Sequence, residues 1–154
     1  MRFQQDGKVT ALSFRTGKSG DNQLVYSVDG STIMATANMN GTVALWDLNE
    51  KSLVHILHAH DGPIHTCYFF HGLAILVTAS ADNSIKQWIF DSADQTPRLL
   101  KSRSGHFRPP TKVRYYGGEG ENGNHSLITC GQDQTLRFFS SIRDAQNVEL
   151  SQGR

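Results

Sequence analysis

The chain has 154 residues, and its 15 Lys and Arg nearly balance its 14 Asp and Glu, which leaves a formal net charge of +1. Electrostatics of the whole molecule therefore select neither nucleic acid nor an anionic membrane as a partner. The sequence has no apolar run of about 18 residues and no signal-peptide segment, so neither a membrane span nor secretion is expected. Cys67 and Cys130 are far apart in the sequence, which predicts reduced thiols in an intracellular protein.

The first predicted unit, residues 5–58, contains four strands. Its first segment alternates between apolar and polar side chains, the pattern of a strand with one buried face. This segment is followed by a more apolar strand, a turn at Asn40-Gly41 and a third strand that ends near Trp46. A weaker fourth strand closes the unit. A Gly-, Ser- and Asp-rich insertion separates the first two strands, and such insertions often lie on the binding face of a repeat protein. In order, the first strand, insertion, second strand and fourth strand are 9–14, 16–31, 33–37 and 53–57.

The second and third units, residues 59–102 and 105–141, repeat this order. Their tight turns are Asp82-Asn83 and Asp133-Gln134, where Asn and Asp suit the left-handed backbone of a hairpin. The third unit has a Gly- and Glu-rich insertion and no fourth strand, and residues 142–154 are predicted to be an irregular tail. Unit two has predicted strands at 64–69 and 74–79, a third strand that ends near Trp88 and a fourth at 98–102. Unit three has predicted strands at 112–116 and 126–130 and a third that ends near Phe139, with its insertion at 117–124.

The three aromatic strand ends set the period of the repeat. Each lies six residues after an Asn or Asp, and Trp46 and Trp88 are 42 residues apart. A period of about 40–45 residues with four strands per unit is typical of propeller blades. The sequence therefore predicts an all-β propeller without helices. Closed propellers have about 4–8 blades, so residues 1–154 are expected to form a single fragment of a larger propeller and to pack on its remaining blades.

A set of polar residues in unit two suggests a buried network. His60, Ser80, Asp82 and Trp88 resemble the structural tetrad of the WD-repeat family, in which a His precedes the first strand and a Ser and an Asp flank the end of the second. A buried indole N–H needs an acceptor, which the Ser80 hydroxyl can supply. The His can donate to the Asp and the Ser, so the network is predicted to tie the strands of the blade together.

The other two units carry partial versions of this set. Unit three has His106 and Asp133 but Gly131 in place of the Ser and Phe139 in place of the Trp, so donor and acceptor are lost together. Unit one has Gln5 at the position of the His, and Asn38 is predicted to accept from Trp46. The predicted structural network is therefore His60, Ser80, Asp82, Trp88, His106, Asp133, Asn38 and Trp46.

Three catalytic or ligand-binding hypotheses compete with this structural interpretation. Ser80, His60 and Asp82 are the residue types of a nucleophilic triad, but all three belong to a repeated strand frame. The G-x-G-x-x-G match at 118–123 lacks the helix that a dinucleotide site needs. A zinc site built from His55, His58, His60 and His65 has no compact ligand spacing. We favour the structural interpretation, and no enzymatic activity, metal or cofactor is expected.

A run of basic residues between positions 95 and 118 is a candidate contact for RNA or a protein partner. Phosphate binding by such a run is independent of sequence, and the neighbouring aromatic residues can stack on unpaired bases. Alternate residues of a strand point in opposite directions, so we favour charges scattered over solvated faces, and the contact hypothesis stays open. The candidates are Arg98, Lys101, Arg103, Arg108, Lys112 and Arg114.

Several longer segments narrow the resemblance within the WD-repeat family. Six segments resemble the U3 small nucleolar RNA-associated WD-repeat subunits of the small-subunit processome and occur in the same order as in those proteins. They are residues 9–17, 81–91, 98–100, 105–106, 110–117 and 132–140. The resemblance implies a non-catalytic nucleolar scaffold in the nucleus that contacts other WD-repeat processome subunits, and U3 snoRNA or pre-rRNA, during 18S rRNA processing. The alternative is a generic WD-repeat module that binds peptides, such as a substrate receptor; neither function implies a small-molecule substrate.

Overall fold

The structure is a computed structural model that describes residues 4–15, 17–18, 24–25, 32–70, 73–90, 96–116, 126–140 and 147–150. These residues form strands and turns, with no helix among them. In chain order the strands are β1 (Val9–Phe14), β2 (Gly17–Lys18), β3 (Leu24–Val25), β4 (Ile33–Asn38), β5 (Thr42–Asp47), β6 (Ser52–His58), β7 (Ile64–Phe69), β8 (Ile75–Ser80), β9 (Ser84–Ile89), β10 (Arg98–Ser104), β11 (Pro110–Tyr116), β12 (Ser126–Gly131), β13 (Leu136–Ser140) and β14 (Asn147–Leu150).

Three four-stranded antiparallel sheets follow one another along the chain. Sheet 1 has the order β1-β4-β5-β6, sheet 2 has β7-β8-β9-β10, and sheet 3 has β11-β12-β13-β14. Each sheet is thus a meander in which consecutive long strands are neighbours, the arrangement of a propeller blade. The first strands of the sheets lie side by side, because β7 contacts both β1 and β11. The predicted all-β propeller fold is confirmed, with these three sheets as its blades.

The irregularities of the sheets repeat as faithfully as the strands. The first strand of each sheet has a bulge at its second residue, which is Thr10, His65 or Thr111. The outer strands of sheets 1 and 2 each have a bulge beside the Trp strand, at Val54 and Leu100. A bulge bends a strand and strengthens its twist. Bulges at equivalent positions therefore give the blades the same shape, as side-by-side packing requires.

Two apolar clusters join the sheets face to face. The first packs Ala and branched residues of β4 and β5 against the face of sheet 2 that carries Trp88. The second packs Val77, Ala79 and Ile85 of sheet 2 against the face of sheet 3 that carries Phe139. Trp88 and Phe139 therefore point toward the preceding sheet. We call the face of each sheet that carries its aromatic residue the leading face and the opposite face the trailing face.

The expectation of an irregular tail at 142–154 is wrong for four residues. Asn147–Leu150 form β14, which pairs antiparallel with β13 from Leu136↔Leu150 to Phe139↔Asn147. The tail around it is mostly polar, but pairing at the outer edge of a sheet depends on main-chain N–H and C=O groups and not on apolar side chains. Within the first insertion, β2 and β3 pair as a small two-stranded sheet. The second insertion, 117–124, lies outside the described residues.

Candidate functional site

The polar network of sheet 2 is a chain of four side chains. The indole Nε1 of Trp88 donates to the Thr78 hydroxyl oxygen at 3.0 Å. That hydroxyl lies 2.7 Å from Nε2 of His60, and Nδ1 of His60 lies 2.9 Å from a carboxylate oxygen of Asp82. The His60 side chain is completely buried. The network thus links the chain before β7 to β8, to β9 and to the turn between them.

Thr78, and not Ser80, provides the hydroxyl of this network. The Ser80 hydroxyl donates to the Gly62 carbonyl at 3.0 Å and accepts from the Asp82 amide, so the predicted Trp88–Ser80 contact is wrong. The cause is the strand register, which places Trp88 opposite Leu76. Thr78 is the next residue on that face, whereas Ser80 is a further two residues along the strand. The sequence held a signal for this, because a Thr precedes each aromatic strand end by ten residues.

The charge state of the network follows from burial. Burial lowers the pKa of His60, although the Asp82 carboxylate opposes the shift. Burial would raise the pKa of Asp82, but hydrogen bonds from Ser84 and His60 outweigh it and hold that pKa below its usual value. A neutral His60 that donates from Nδ1 to Asp82 and accepts from the Thr78 hydroxyl satisfies both ring nitrogens. Each member of the chain then has a partner.

Sheet 3 builds the same network without a Trp. Nδ1 of His106 lies 2.9 Å from the Asp133 carboxylate, and Nε2 lies 2.8 Å from the Thr129 hydroxyl. The prediction that donor and acceptor are lost together is therefore wrong, because Thr129 keeps the acceptor. Burial would raise the pKa of Asp133, but hydrogen bonds from His106, Thr135 and the Phe107 amide hold it well below its usual range. A Cβ atom at Gly131 would lie only 2.6 Å from Nδ1 of His106.

Sheet 1 replaces the His and the Asp with amides. Trp46 Nε1 donates to the Thr36 hydroxyl at 2.8 Å, and that hydroxyl donates to the Gln5 side-chain oxygen at 2.5 Å. Gln5 thus occupies the place of the His, as its sequence position predicted. Asn38 does not accept from Trp46, so that prediction is wrong. Its side-chain oxygen instead accepts from the amides of Asn40 and Thr42, and its nitrogen donates to Asp6 and Thr42.

The arrangement fits neither the nucleophilic nor the zinc hypothesis. Ser80 bonds to Gly62 and to Asp82 and not to His60, so the three residues do not form the Ser–His–Asp order that nucleophile activation needs. The completely buried His60 has both ring nitrogens engaged. Among the described residues, no group of three or more His, Cys, Asp or Glu is placed to hold a metal ion.

The structure divides the basic run among three places. Arg98, Lys101 and Arg103 lie on β10, the outer strand of sheet 2, and Arg103 lies over the Phe139 ring at 5.5 Å from its centroid. Lys112 and Arg114 lie on β11, the first strand of sheet 3. Arg108 lies in the connection between β10 and β11. The six residues therefore do not form one continuous patch.

Lys112 and Arg114 face a groove along the first strands of the sheets. The groove has a volume of about 440 Å³ and is lined by residues 10–14 of β1 and 65–69 of β7 as well as by these two side chains. The Arg114 guanidinium lies 5.3 Å from the centroid of the Tyr68 ring. Its Nη1 donates to the Val113 carbonyl at 2.8 Å. We call this groove the inner groove.

The leading face of sheet 1 exposes apolar side chains on its first and outer strands, although Ala44 and Trp46 between them are buried. Leu12 and Phe14 are 57% and 38% exposed, whereas Cys67 and Phe69, at the equivalent positions of sheet 2, are 3% and 1% exposed because sheet 1 covers them. Ile56 lies on the same face, since the register joins it through Ala44 and Thr36 to Leu12. In sheet 2 the equivalent residues are buried by sheet 1. In sheet 1 no other sheet covers them among the described residues.

None of the described residues belongs to a helix with the length and hydropathy needed to cross a bilayer.

Comparison with known proteins agrees with this blade structure. The family described as the WDR36/Utp21 first beta-propeller matches residues 1–91. The chain is 42% identical over 154 residues to the U3 small nucleolar RNA-associated protein 21 homolog of Schizosaccharomyces pombe, covering 99% of the chain and 15% of the relative. It is 37% identical to WD repeat-containing protein 36 of Homo sapiens, covering 99% of the chain and 16% of the relative.

A third relative and two solved structures extend the comparison. The chain is 31% identical to the U3 small nucleolar RNA-associated protein 21 of Saccharomyces cerevisiae, covering 95% of the chain and 18% of the relative. The structure of U3-55K matches 96% of the chain and 38% of its own chain, with a TM-score of 0.68 and 16% identity. The computationally designed Ika4 protein matches 98% of the chain and 76% of its own, with a TM-score of 0.66 and 18% identity.

The two solved structures, at such low identity, show the fold alone. The chain spans less than a fifth of the length of these three curated relatives. The family match covers more than half of the chain, and the relatives align with nearly all of it. The chain therefore belongs to the WDR36/Utp21 first β-propeller family.

Proposed function

We propose that the chain is part of a non-catalytic scaffold of the small-subunit processome, located in the nucleolus and acting in 18S rRNA processing. The observation that carries the proposal is the 42% and 31% identity, over at least 95% of the chain, to two relatives named for association with U3 small nucleolar RNA. Its partners are the remaining blades of the propeller and other WD-repeat subunits. Contact with U3 snoRNA or pre-rRNA is part of the same proposal.

The open leading face of sheet 1 supports a role in assembly. It exposes large apolar side chains, among them Leu12 and Ile56, and patches of this kind mark interaction sites in soluble proteins. The equivalent faces of sheets 2 and 3 are buried by a neighbouring sheet. We therefore propose that a further blade covers this face, so that residues 4–150 act as one arc of a closed propeller.

The polar networks support a scaffold without catalytic activity. His60 and His106, with Asp82 and Asp133, have the residue types of general acid–base chemistry. Each His is engaged on both ring nitrogens inside its blade. Groups held in this way stabilise a fold and are not presented to a substrate.

Affinity capture tests the proposed assembly. The chain is produced with a tag in eukaryotic cells, captured from nuclear extract, and the co-purified U3 snoRNA is quantified against an unrelated small nuclear RNA. We expect enrichment with the natural chain, loss of enrichment with Leu12→Glu, and retention with Leu100→Glu, which places the same charge on an exposed outer-strand bulge. Recovery of U3 snoRNA no higher than with the tag alone would contradict the proposal.

A peptide-binding module is the second candidate function. Its specific support is Phe107, which is 86% exposed in the connection that carries His106. Exposed aromatic residues are frequent anchors in protein interfaces. Capture that yields a peptide-bearing partner, is abolished by Phe107→Ala and contains no U3 snoRNA would favour this second function.

A further inference from the structure

The outer strand of sheet 2 has an open hydrogen-bonding edge. β10 (Arg98–Ser104) is seven residues long and pairs with β9 on one side. No strand pairs with its other side among the described residues, and an edge of this kind presents main-chain N–H and C=O groups to a further strand. Leu99 and Leu100 are 51% and 43% exposed, although sheets 1 and 3 already pack on the two faces of sheet 2. This edge therefore lies outside the surfaces at which blades pack on one another.

The basic residues of β10 all lie on one face of the strand. The register places Arg98, Lys101 and Arg103 opposite residues of β9 that belong to the trailing face of sheet 2. The bulge at Leu100 brings Arg98 onto the same face as the other two. Arg103 accordingly lies over the Phe139 ring of sheet 3. The trailing side of this edge therefore carries three positive charges.

The charge of this edge selects against a second copy of the same strand. Two β10 strands side by side would bring their cations together, and like charges opposite each other destabilise a sheet. Natural edge strands use charge in this way to prevent self-association, whereas β6, the outer strand of sheet 1, contains neither Lys nor Arg. Protection alone does not require the exposed Leu99 and Leu100. A strand with carboxylates on one face and apolar side chains on the other complements both the cations and the leucines.

We propose that β10 binds an extended acidic segment of a partner protein, which joins sheet 2 as a fifth strand. Main-chain hydrogen bonds hold such a segment, and its alternate side chains give the specificity. Successive residues of a strand point to opposite faces, so the carboxylates of the segment lie beside the three cations. Its apolar side chains lie beside Leu99, which the register places on the leading face opposite Trp88. The segment therefore alternates acidic and apolar residues.

This binding does not depend on the proposed processome function. In the capture test above, Leu100→Glu is expected to retain U3 snoRNA. The same variant is expected to weaken binding of an acidic segment to β10, because it places a negative charge on the exposed bulge of that strand. The two proposals can therefore fail separately.

Fluorescence anisotropy with the purified chain tests the proposal. The probe is a labelled eight-residue peptide of alternating Glu and Val, and its counterpart is N-methylated at every backbone amide, so that it cannot donate main-chain hydrogen bonds. Arg98→Glu replaces attraction with repulsion at an exposed position and is expected to lower affinity at least about fivefold. The matched variant Arg108→Glu makes the same charge change in the connection after β10 and is expected to lower affinity less than about twofold. Circular dichroism melts confirm that both variants stay folded.

Hydrogen exchange locates the contact. Saturating peptide is expected to slow exchange of the amides within residues 98–104 at least about threefold and to leave residues 52–58 of β6 unchanged. Five outcomes would overturn the proposal. These are no saturable binding, equal binding of the N-methylated peptide, equal weakening by the two arginine variants, protection confined to segments other than 98–104, and tighter binding of an oligouridine than of the peptide. The last outcome would identify β10 as a phosphate contact for RNA.

Discussion

At the scale of single residues, one threonine hydroxyl in each sheet bonds to the His or to the Gln that replaces it, and in sheets 1 and 2 it also accepts from the Trp. Thr78 accepts from Trp88 and contacts His60, and Thr129 and Thr36 occupy the equivalent places in the other sheets. Linked hydrogen bonds in a low-dielectric interior strengthen one another. The third-strand aromatic varies between Trp and Phe, and the His is replaced by Gln5 in sheet 1, but the threonine is present in all three sheets.

Replacing Thr78 with Val tests the importance of this hydroxyl. Val has nearly the same shape, so the change leaves the buried Trp88 N–H and one His60 nitrogen without a partner. Each unsatisfied buried group costs about 1–3 kcal/mol, and we expect the free energy of unfolding in urea to fall by at least that amount. Ser80→Ala, which removes the hydrogen bond to Gly62 and the longer one from the Asp82 amide, is expected to cost about 0.5–1.5 kcal/mol. A larger loss for Ser80→Ala than for Thr78→Val would contradict the assignment.

Gln87 is a buried polar residue at a position where the other sheets are apolar. It is 1% exposed, and its Nε2 has no hydrogen-bond partner among the described residues. Leu45 occupies the equivalent position in sheet 1. We expect Gln87→Leu to raise the free energy of unfolding by about 1 kcal/mol, since replacing an unsatisfied polar group with an apolar one removes its desolvation cost. Destabilisation by more than about 1 kcal/mol would show that Gln87 has a partner that stabilises the fold.

The buried networks make stability depend on pH in two stages. Burial lowers the pKa of His60 from 6.5, so on acidification the unfolded chain is protonated first, and stability falls as the pH drops below 6.5. The pKa values of Asp82 and Asp133 are held below 3.8, so their contribution is present above 3.8 and is lost at lower pH.

Urea unfolding at pH 7.5, 5.5 and 3.5 measures both stages. The slope that His60 contributes cannot exceed about 1.4 kcal/mol per pH unit, the value for one proton. His60→Gln is expected to remove the loss between pH 7.5 and 5.5 that is due to this residue and to leave the loss below pH 4. Unchanged behaviour of the variant between pH 7.5 and 5.5 would rule out His60 as the origin of the first stage.

The sequence predicted the His60–Asp82 contact but placed the hydroxyl at the wrong residue. Thr78 and Ser80 have the same parity in β8 and therefore lie on one face of the sheet. The choice between them depends on the pairing of Trp88 with Leu76. Strand register is set by the three-dimensional pairing of β8 with β9, so residue types alone did not determine which hydroxyl reaches the indole.

At the scale of elements, the turns between the second and third strands carry a shared backbone feature. Gly41, Asn83 and Gln134, the second residue of each turn, have φ values of 79°, 64° and 62°. The residue with left-handed backbone is therefore the one directly after the Asn or Asp that the sequence analysis placed in each turn. Asp82 and Asp133 instead accept hydrogen bonds from the amides two residues ahead, as Asx turns do.

Gly41 also joins sheet 1 to sheet 2. Its carbonyl accepts from the amides of Ala59 and His60, and a Cβ atom at this position would lie 2.0 Å from the His60 carbonyl oxygen. We expect Gly41→Ala to lower the free energy of unfolding by more than the roughly 1–2 kcal/mol that the left-handed conformation alone costs. Gly7→Ala is the matched control, because Gly7 has a φ of 90° but its Cβ would meet only the movable Asn40 side chain. Equal costs for the two variants would exclude a role for the junction.

The first strands of the sheets were easier to predict than the outer strand of sheet 3. The predicted first strands at 9–14 and 64–69 agree with β1 and β7. In β7 the apolar face is buried, as the alternation predicts, whereas in β1 the apolar Leu12 and Phe14 are exposed and Ser13 is buried. The outer strand β14 was missed because an edge strand needs only main-chain partners on one side. Val148 and Leu150 alternate with polar residues, but this pattern spans only four residues of an otherwise polar tail.

At the scale of the whole molecule, the two faces of each sheet have different roles. The trailing faces of sheets 1 and 2 cover the leading faces of sheets 2 and 3, and the leading face of sheet 1 has no such cover among the described residues. Burying apolar surface contributes about 25 cal/mol per Å². Covering Leu12 and Phe14 would therefore stabilise both the arc and the blade that packs on it.

Thiol labelling of Leu12→Cys is the most direct test of this account, because the equivalent Cys67 is 3% exposed under sheet 1. Cys130→Ser removes the partly exposed native thiol, and burial raises the pKa of Cys67 to about 12, which keeps that thiol unreactive. The labelling rate is compared between the chain alone and the chain joined to the remaining blades, with Leu100→Cys on the outer strand as control. The account predicts that joining the blades slows labelling of Leu12→Cys at least tenfold and leaves Leu100→Cys unchanged. Equal rates for Leu12→Cys in the two settings would contradict it.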